Sequence, residues 1–153
     1  QLAKNTGVLD LNSVYSYLMI CKYFSDTCVI AENKSKIQGF VTGFCPPDLP
    51  DTVFVWQVAV DASCRGKGVA RTMLRELLKR PDCAGVRYLE TTVTNSNIPS
   101  QALFRRFAKD ADAMVDVSPC FPETLFPQSG HEAEWLYRIG PIQNILKGVG
   151  SHK

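Results

Sequence analysis

Apolar residues recur at helical spacing from Leu11 to Phe24, with Val14, Tyr17, Leu18 and Cys21 in register and Asn12 or Ser13 as the cap. The pattern then changes. Cys28 to Ala31 and Ile37 to Cys45 are apolar and rich in β-branched side chains, and the polar stretch Glu32–Lys36 between them predicts a hairpin. Pro46, Pro47, Asp48, Leu49, Pro50 and Asp51 break both periods and read as a loop. Val53 to Val60 is the strongest strand signal in the chain. After a glycine-bearing turn, Val69, Met73, Leu74, Leu77 and Leu78 form an amphipathic helix that stops before Pro81. Val86 to Val93 predicts another strand, and Asn97 to Lys109 a helix with Ala102, Leu103 and Phe107 on one face. Met114 to Val117 and Ala133 to Ile139 complete the strands, with a proline-rich loop at Pro119 to Gly130. No internal repeat is found. The alternation implies an α/β fold with a mixed sheet.

Size fits that reading. A chain of 153 residues is expected to form a single domain, here residues 1–141, and can bury a core without staples. Residues 142–153 carry little pattern and are expected to form a flexible tail. The net charge of +2 comes from 17 basic and 15 acidic side chains, too balanced for nucleic acid to be the main partner. No apolar run reaches the roughly 18 residues that span a bilayer, and no signal-peptide pattern opens the chain, so a cytoplasmic protein without a membrane partner is expected. Gln1 in place of Met suggests that the natural start lies elsewhere. The cysteines at 21, 28, 45, 64, 83 and 120 include no C-x-x-C pair, which argues against a metal site and for reduced thiols.

Chemistry enters at Arg65-Gly66-Lys67-Gly68-Val69-Ala70, between a strand and a helix. Glycine lets backbone approach a phosphate closely, and a helix N-terminus offers unpaired N–H groups with the positive end of its dipole. Arg65, Lys67 and Arg71 add charge. The loop is neither a P-loop nor a G-x-G-x-x-G turn. Its alternative reading is a helix start with glycines for tight packing. The loop resembles the [QR]-x-x-G-x-[GA] motif of the GNAT superfamily of N-acetyltransferases, with Arg65, Gly68 and Ala70 at the fixed positions. The resemblance implies acetyl-CoA as co-substrate, no metal, and a mixed central sheet with splayed strands flanked by helices. It also implies that Val58 and Val60 bind the pantetheine arm through their backbone, that Arg65 to Ala70 hold the pyrophosphate, and that Asn97 flanks the thioester. Many members carry a tyrosine acid where Phe104 stands here; phenylalanine cannot donate that proton.

Further segments narrow the resemblance: Leu9 to Tyr17, Val53 to Val60 with its Trp56-Gln57, Arg87 to Thr94 with Glu90-Thr91-Thr92, and Gly130-His131-Glu132-Ala133-Glu134. Together these are similar to the L-2,4-diaminobutyrate N-acetyltransferases of ectoine biosynthesis, over nearly the whole chain to about Pro141. The resemblance implies transfer of acetyl to the 4-amino group, a response to osmotic stress, a homodimer, and a strand and part of a helix before the position of Gln1. The acceptor carries two amines and one carboxylate, so its pocket needs carboxylates. Its nucleophile must lose a proton: an amine of pKa about 10 is neutral roughly once in a thousand at pH 7, a cost of about 4 kcal/mol. Glu90 is the expected base and His131 a second proton-handling or substrate residue.

Each assignment has an alternative. Strand alternation puts Tyr88, Glu90 and Thr92 on one face, which leaves Glu90 either at the acceptor or in solvent. Thr92 shares that face and is assigned to the acceptor with it. Asp10 either binds an ammonium group or caps the first helix. Tyr15 is a ligand or a rim residue, and Trp56 a wall of the acceptor site or core. Other small amines, polyamines or peptide N-termini are alternative acceptors, and a non-catalytic acetyl-CoA-binding module is a third reading.

Overall fold

A computed structural model describes residues 2, 13–127 and 130–143. The chain divides into two compact units, Gln1–Val86 and Arg87–Lys153.

In the first unit, helix α1 (Val14–Tyr23) is capped by Ser13, whose side chain accepts from Ser16 N. A 3-10 turn at Ser25–Thr27 follows, fastened by Thr27 Oγ1, which donates to Gly43 O at 2.7 Å. Strands β1 (Val29–Asn33) and β2 (Lys36–Phe44) form the expected hairpin, but Glu32 and Asn33 belong to the ladder. Only Lys34 and Ser35 turn, both at positive φ (48° and 62°), the geometry of a two-residue type I′ turn. Strand β3 (Thr52–Val60) pairs antiparallel with β2.

Adjacent residues of β2 meet helices on opposite faces. Phe40 makes an edge-on contact with Tyr17 of α1. A Cβ on Gly39 would lie 2.9 Å from Met73 Cε of helix α2 (Val69–Leu78) and 2.7 Å from Ala59 O. Glycine at 39 therefore lets α2 settle on the strands. Met73, Leu74, Leu77 and Leu78 supply the buried stripe of α2, over a core that includes Val41, Val53 and Val55. The helix ends at Lys79, and Pro81 opens the next 3-10 turn.

In the second unit, β4 (Tyr88–Thr94) and β5 (Met114–Phe121) both pair antiparallel with β6 (Glu134–Gly140), which is central. Strand β5 runs four residues beyond the Met114–Val117 expectation: Pro119 pairs with Trp135 and Phe121 with Glu134, so the loop predicted from Pro119 starts later. A register shift between Pro119 and Phe121 accommodates the proline, as bulged strands allow. Helix α3 (Ile98–Asp110) buries Phe104, Phe107 and Ala108. It ends in a Schellman motif, with Ala113 N donating to Ala108 O and Asp112 N to Lys109 O while Asp112 takes φ 50°. The core of this unit is Leu89, Val93, Tyr137 and Ile139 with those helix residues.

Among the described residues, no helix is long and apolar enough to cross a membrane.

Candidate active site

The first unit carries the loop from Arg65 to Ala70. After β3, Asp61 caps a 3-10 turn at Ala62–Cys64 by accepting from Ser63 N and Oγ. Those bonds hold the exposed Asp61 carboxyl below its ordinary range. Arg65 Nε donates to Val60 O at 3.4 Å, which ties the loop back to the strand. Gly66 and Gly68 take φ 74° and 79°, in the left-handed region where a side chain is strained. A Cβ at Gly66 would meet nothing within 4 Å, so the loop's outer side is open there. Gly68 is the N-cap of α2 and supplies no side-chain acceptor. The first-turn N–H groups of Val69 and Ala70 are therefore donors for an anion, at the positive end of the helix. Glycines, helix start and cationic Lys67 together fit a pyrophosphate.

On the same unit, Val58 pairs with Val41 and Val60 with Gly39. The register slips between them and the strand's start: Thr42 faces Gln57 but Gly43 faces Val55. Trp56 is thus the extra residue of a β-bulge, and it is 44% exposed. Bulges re-aim side chains next to active sites. Tyr17 OH donates to the buried Gln57 Oε1 at 3.0 Å, linking α1 to the bulge. Tyr15 lies on the exposed side of α1. Asp10 lies outside the described residues.

The second unit gathers ionisable groups on one face of its strands. Glu90 stands directly opposite Arg138 in the β4–β6 ladder, and Arg138 Nη1 donates to Glu90 Oε1 at 2.6 Å. The guanidinium carbon also sits 3.9 Å from the ring centre of Tyr88. Thr92 is two residues along β4, opposite Leu136. Cys120 shares the electrostatic neighbourhood of Glu90 and Glu134: burial first, then these two carboxylates, push its thiol up. His131 Nε2 lies 3.8 Å from Glu134 Oε1, and its ring stacks on Phe126 at 3.7 Å between centroids. Its Nδ1 is 2.7 Å from Glu132 O, a bond that makes Nδ1 the protonated nitrogen of neutral His131. Glu132 in turn accepts from Ser96 N and Oγ, fastening this segment to the turn before α3.

Asn97 caps α3, its Oδ1 accepting from Ser100 N at 3.2 Å, so the side-chain oxygen already has a structural task. Phe104 is 3% exposed and belongs to the core. Among the described residues no group of three or more His, Cys, Asp or Glu side chains is placed to hold a metal.

The strand, the paired glycines and the helix start agree with a comparison of the sequence against known families. The Acetyltransferase (GNAT) family matches residues 6–108. The chain belongs to the GNAT acetyltransferase family. Its GNAT relatives include the L-2,4-diaminobutyric acid acetyltransferase of Marinococcus halophilus, 53% identical over 93% of this chain and 82% of that protein. The enzyme of the same description from Halalkalibacterium halodurans is 51% identical over 90% of this chain and 73% of its own length. Among solved GNAT structures, diaminobutyrate acetyltransferase EctA from Paenibacillus lautus superposes with a TM-score of 0.88 at 44% identity, covering 94% of this chain and 87% of that one. That structure is a complex with L-2,4-diaminobutyric acid and coenzyme A. The GNAT assignment bears out the expected α/β class with a mixed sheet, and acetyl-CoA as the co-substrate.

The sequence analysis gives Arg138, Glu134, Cys120 and Gln57 no role in the site. The partner of Arg138 becomes visible only with the β4–β6 register, and that of Gln57 only with the tyrosine that reaches it.

Proposed function

We propose that this chain transfers the acetyl group of acetyl-CoA to the 4-amino group of L-2,4-diaminobutyrate, releasing N4-acetyl-L-2,4-diaminobutyrate and CoA. The likeness to EctA, solved with both molecules, carries the proposal. The amine nitrogen forms a bond to the acetyl carbonyl carbon, the carbon–sulfur bond breaks, and the sulfur leaves with the electron pair. Arg65 to Ala70 bind the pyrophosphate; the two left-handed glycines and the uncapped helix start support that role. Val58 and Val60 serve the pantetheine arm through their backbone, and Asn97 the thioester end. Glu90 and His131 handle the acceptor's proton, while Asp10, Tyr15, Trp56 and Thr92 frame it. Exposure of Trp56 on its bulge supports a cation–π role for that residue, and within the second unit the carboxylates Glu90 and Glu134 near Cys120 support an acidic setting suited to ammonium groups. With Phe104 in the core, no tyrosine acid is needed at that position: a CoA thiol is acidic enough to depart as thiolate.

Ectoine biosynthesis under osmotic stress, in the cytoplasm where acetyl-CoA is made available, is the setting we assign. A homodimer is the assembly we assign, supported by the exposed apolar side chains Val14, Leu18 and Tyr23 on α1; sedimentation equilibrium giving a monomer at micromolar concentration defeats it. The activity is tested by CoA thiol release with a panel of diamines and NMR of the product. Acetylation at the 2-amino group, or turnover of other amines but not diaminobutyrate, overturns the proposal.

A further inference from the structure

Glu90 pairs with Arg138 across the ladder between β4 and the central strand β6. The Glu90 side chain is 11% exposed and that of Arg138 30%, so the carboxylate has largely left water and the guanidinium in part. Burying an ion pair is a weak route to stability, because desolvation offsets the attraction, and apolar residues of similar volume serve as well or better. Stability alone therefore does not account for it. The geometry is specific. Glu90 and Arg138 are direct cross-strand partners, Nη1 reaches Oε1 at 2.6 Å, and the guanidinium carbon lies over Tyr88, 3.9 Å from the ring centre. Tyr88 and Glu90 are two apart on β4 and share a face, so one guanidinium reaches both ring and carboxylate. Arg138 takes Oε1; among the described residues Glu90 Oε2 makes no hydrogen bond.

We propose that Arg138 is a positioning residue for Glu90: lying over Tyr88, it fixes the carboxylate in one orientation, with Oε2 as the oxygen that receives the acceptor's ammonium group. This deepens the acceptor role given to Glu90 above and rests on it. A planar fork can hold a carboxylate and a ring at once; a lysine ammonium carries the charge but neither the fork nor the stack. Arg138 acts through Glu90 and makes no contact with the acetyl donor in this scheme.

The test is a mutant cycle of Glu90→Gln, Arg138→Met and the double variant, with Arg138→Lys as the milder change. Steady-state kinetics are read for both substrates, diaminobutyrate binding by calorimetry, and folding by thermal melting. Arg138→Met is expected to raise KM for diaminobutyrate by about tenfold or more and to leave KM for acetyl-CoA unchanged. In the Glu90→Gln background the same change is expected to cost less than about threefold, since residues acting through one another are not additive. Arg138→Lys is expected to fall between, with a melting temperature close to wild type, and serves if the Met variant does not fold. Equal losses in both backgrounds, a matching rise in KM for acetyl-CoA, or wild-type kinetics in Arg138→Lys overturn the positioning role while Glu90 keeps its own. Wild-type kinetics in Glu90→Gln overturn the acceptor role of Glu90 and the positioning role with it.

Discussion

Gly68 is where backbone conformation and ligand binding can be separated by measurement. It sits at φ 79°, ψ 9° as the N-cap of α2. An alanine Cβ there would have only Arg71 Nη2 nearby, at 3.7 Å, an ordinary contact. Steric clash is therefore not the issue, and the cost of Gly68→Ala is the left-handed backbone itself, about 1–2 kcal/mol. The chain can meet that cost in two ways. If the loop keeps its shape, the loss appears as lower stability with CoA affinity unchanged. At about 2–4 °C per kcal/mol for a chain of this size, the melting temperature falls by roughly 2–8 °C. If the loop relaxes when CoA is absent, stability is spared but binding must restore the strained shape, and Kd for CoA rises by roughly 5- to 30-fold. Intermediate relaxation divides the same energy, so stability loss and binding loss should sum to about 1–2 kcal/mol. Thermal melting with calorimetric titration of CoA gives both terms. A Gly68→Ala protein with wild-type melting and wild-type CoA affinity would refute the reasoning, because the left-handed cap would then be dispensable.

Three further outcomes are expected. Gly39→Ala drives a methyl group to 2.7 Å from Ala59 O, a backbone atom that cannot step aside, and should destabilise the protein by about 1–3 kcal/mol; Gly85→Ala, with nothing within 4 Å, should be nearly neutral in the same melting assay. Glu90→Gln should lose most of kcat with diaminobutyrate and keep CoA affinity, as read by thiol release and calorimetry; full turnover removes Glu90 from proton transfer. Cys83 is 1% exposed, and burial first, then Cys45 and Asp82, push its thiol from 9.0 up to about 12. The folded state thus holds the proton more tightly than the unfolded state, so the stabilisation is complete below pH 9 and is lost as pH rises toward 12. The slope in that window is at most about 1.4 kcal/mol per pH unit. Urea unfolding across the window should show it, and a Cys83→Ala protein that keeps the same slope contradicts the assignment.

Most elements were legible because their periods are strong and their ends are marked. Ser13 caps α1 as one of the expected pair, Asn97 caps α3, and α2 stops short of Pro81. What was misjudged lies where local signals conflict. Lys34 and Ser35 are poor candidates for a type I′ turn, which favours Asn and Gly, so the polar run Glu32–Lys36 read as all loop. Asn33 and Lys36 nonetheless pair across the turn. Pro119 reads as the end of β5, yet the strand continues past it because the register shifts beside the proline.

The candidate site follows the same physics with a sharper division. The loop from Arg65 to Ala70 is local: its glycines, charges and helix start are consecutive, so the structure needed only to supply the signs of φ at Gly66 and Gly68. The surroundings of Glu90 are non-local. Alternation puts Glu90 on a face with Tyr88 and Thr92, but it cannot say what stands across the ladder. That depends on register, and a one-residue slip would have set Tyr137 or Ile139 opposite Glu90 in place of Arg138. With Arg138 opposite, one oxygen of Glu90 is engaged by a guanidinium whose carbon lies 3.9 Å from the Tyr88 ring centre. Trp56 makes the same point within one strand. Strict alternation would treat it as one more residue in sequence with Val55 and Gln57, whereas the bulge inserts it as an extra residue and leaves it exposed. The loop after β3 is therefore legible through contiguous residues, whereas the pairing of strands decides what stands beside Glu90 and how far Trp56 is exposed.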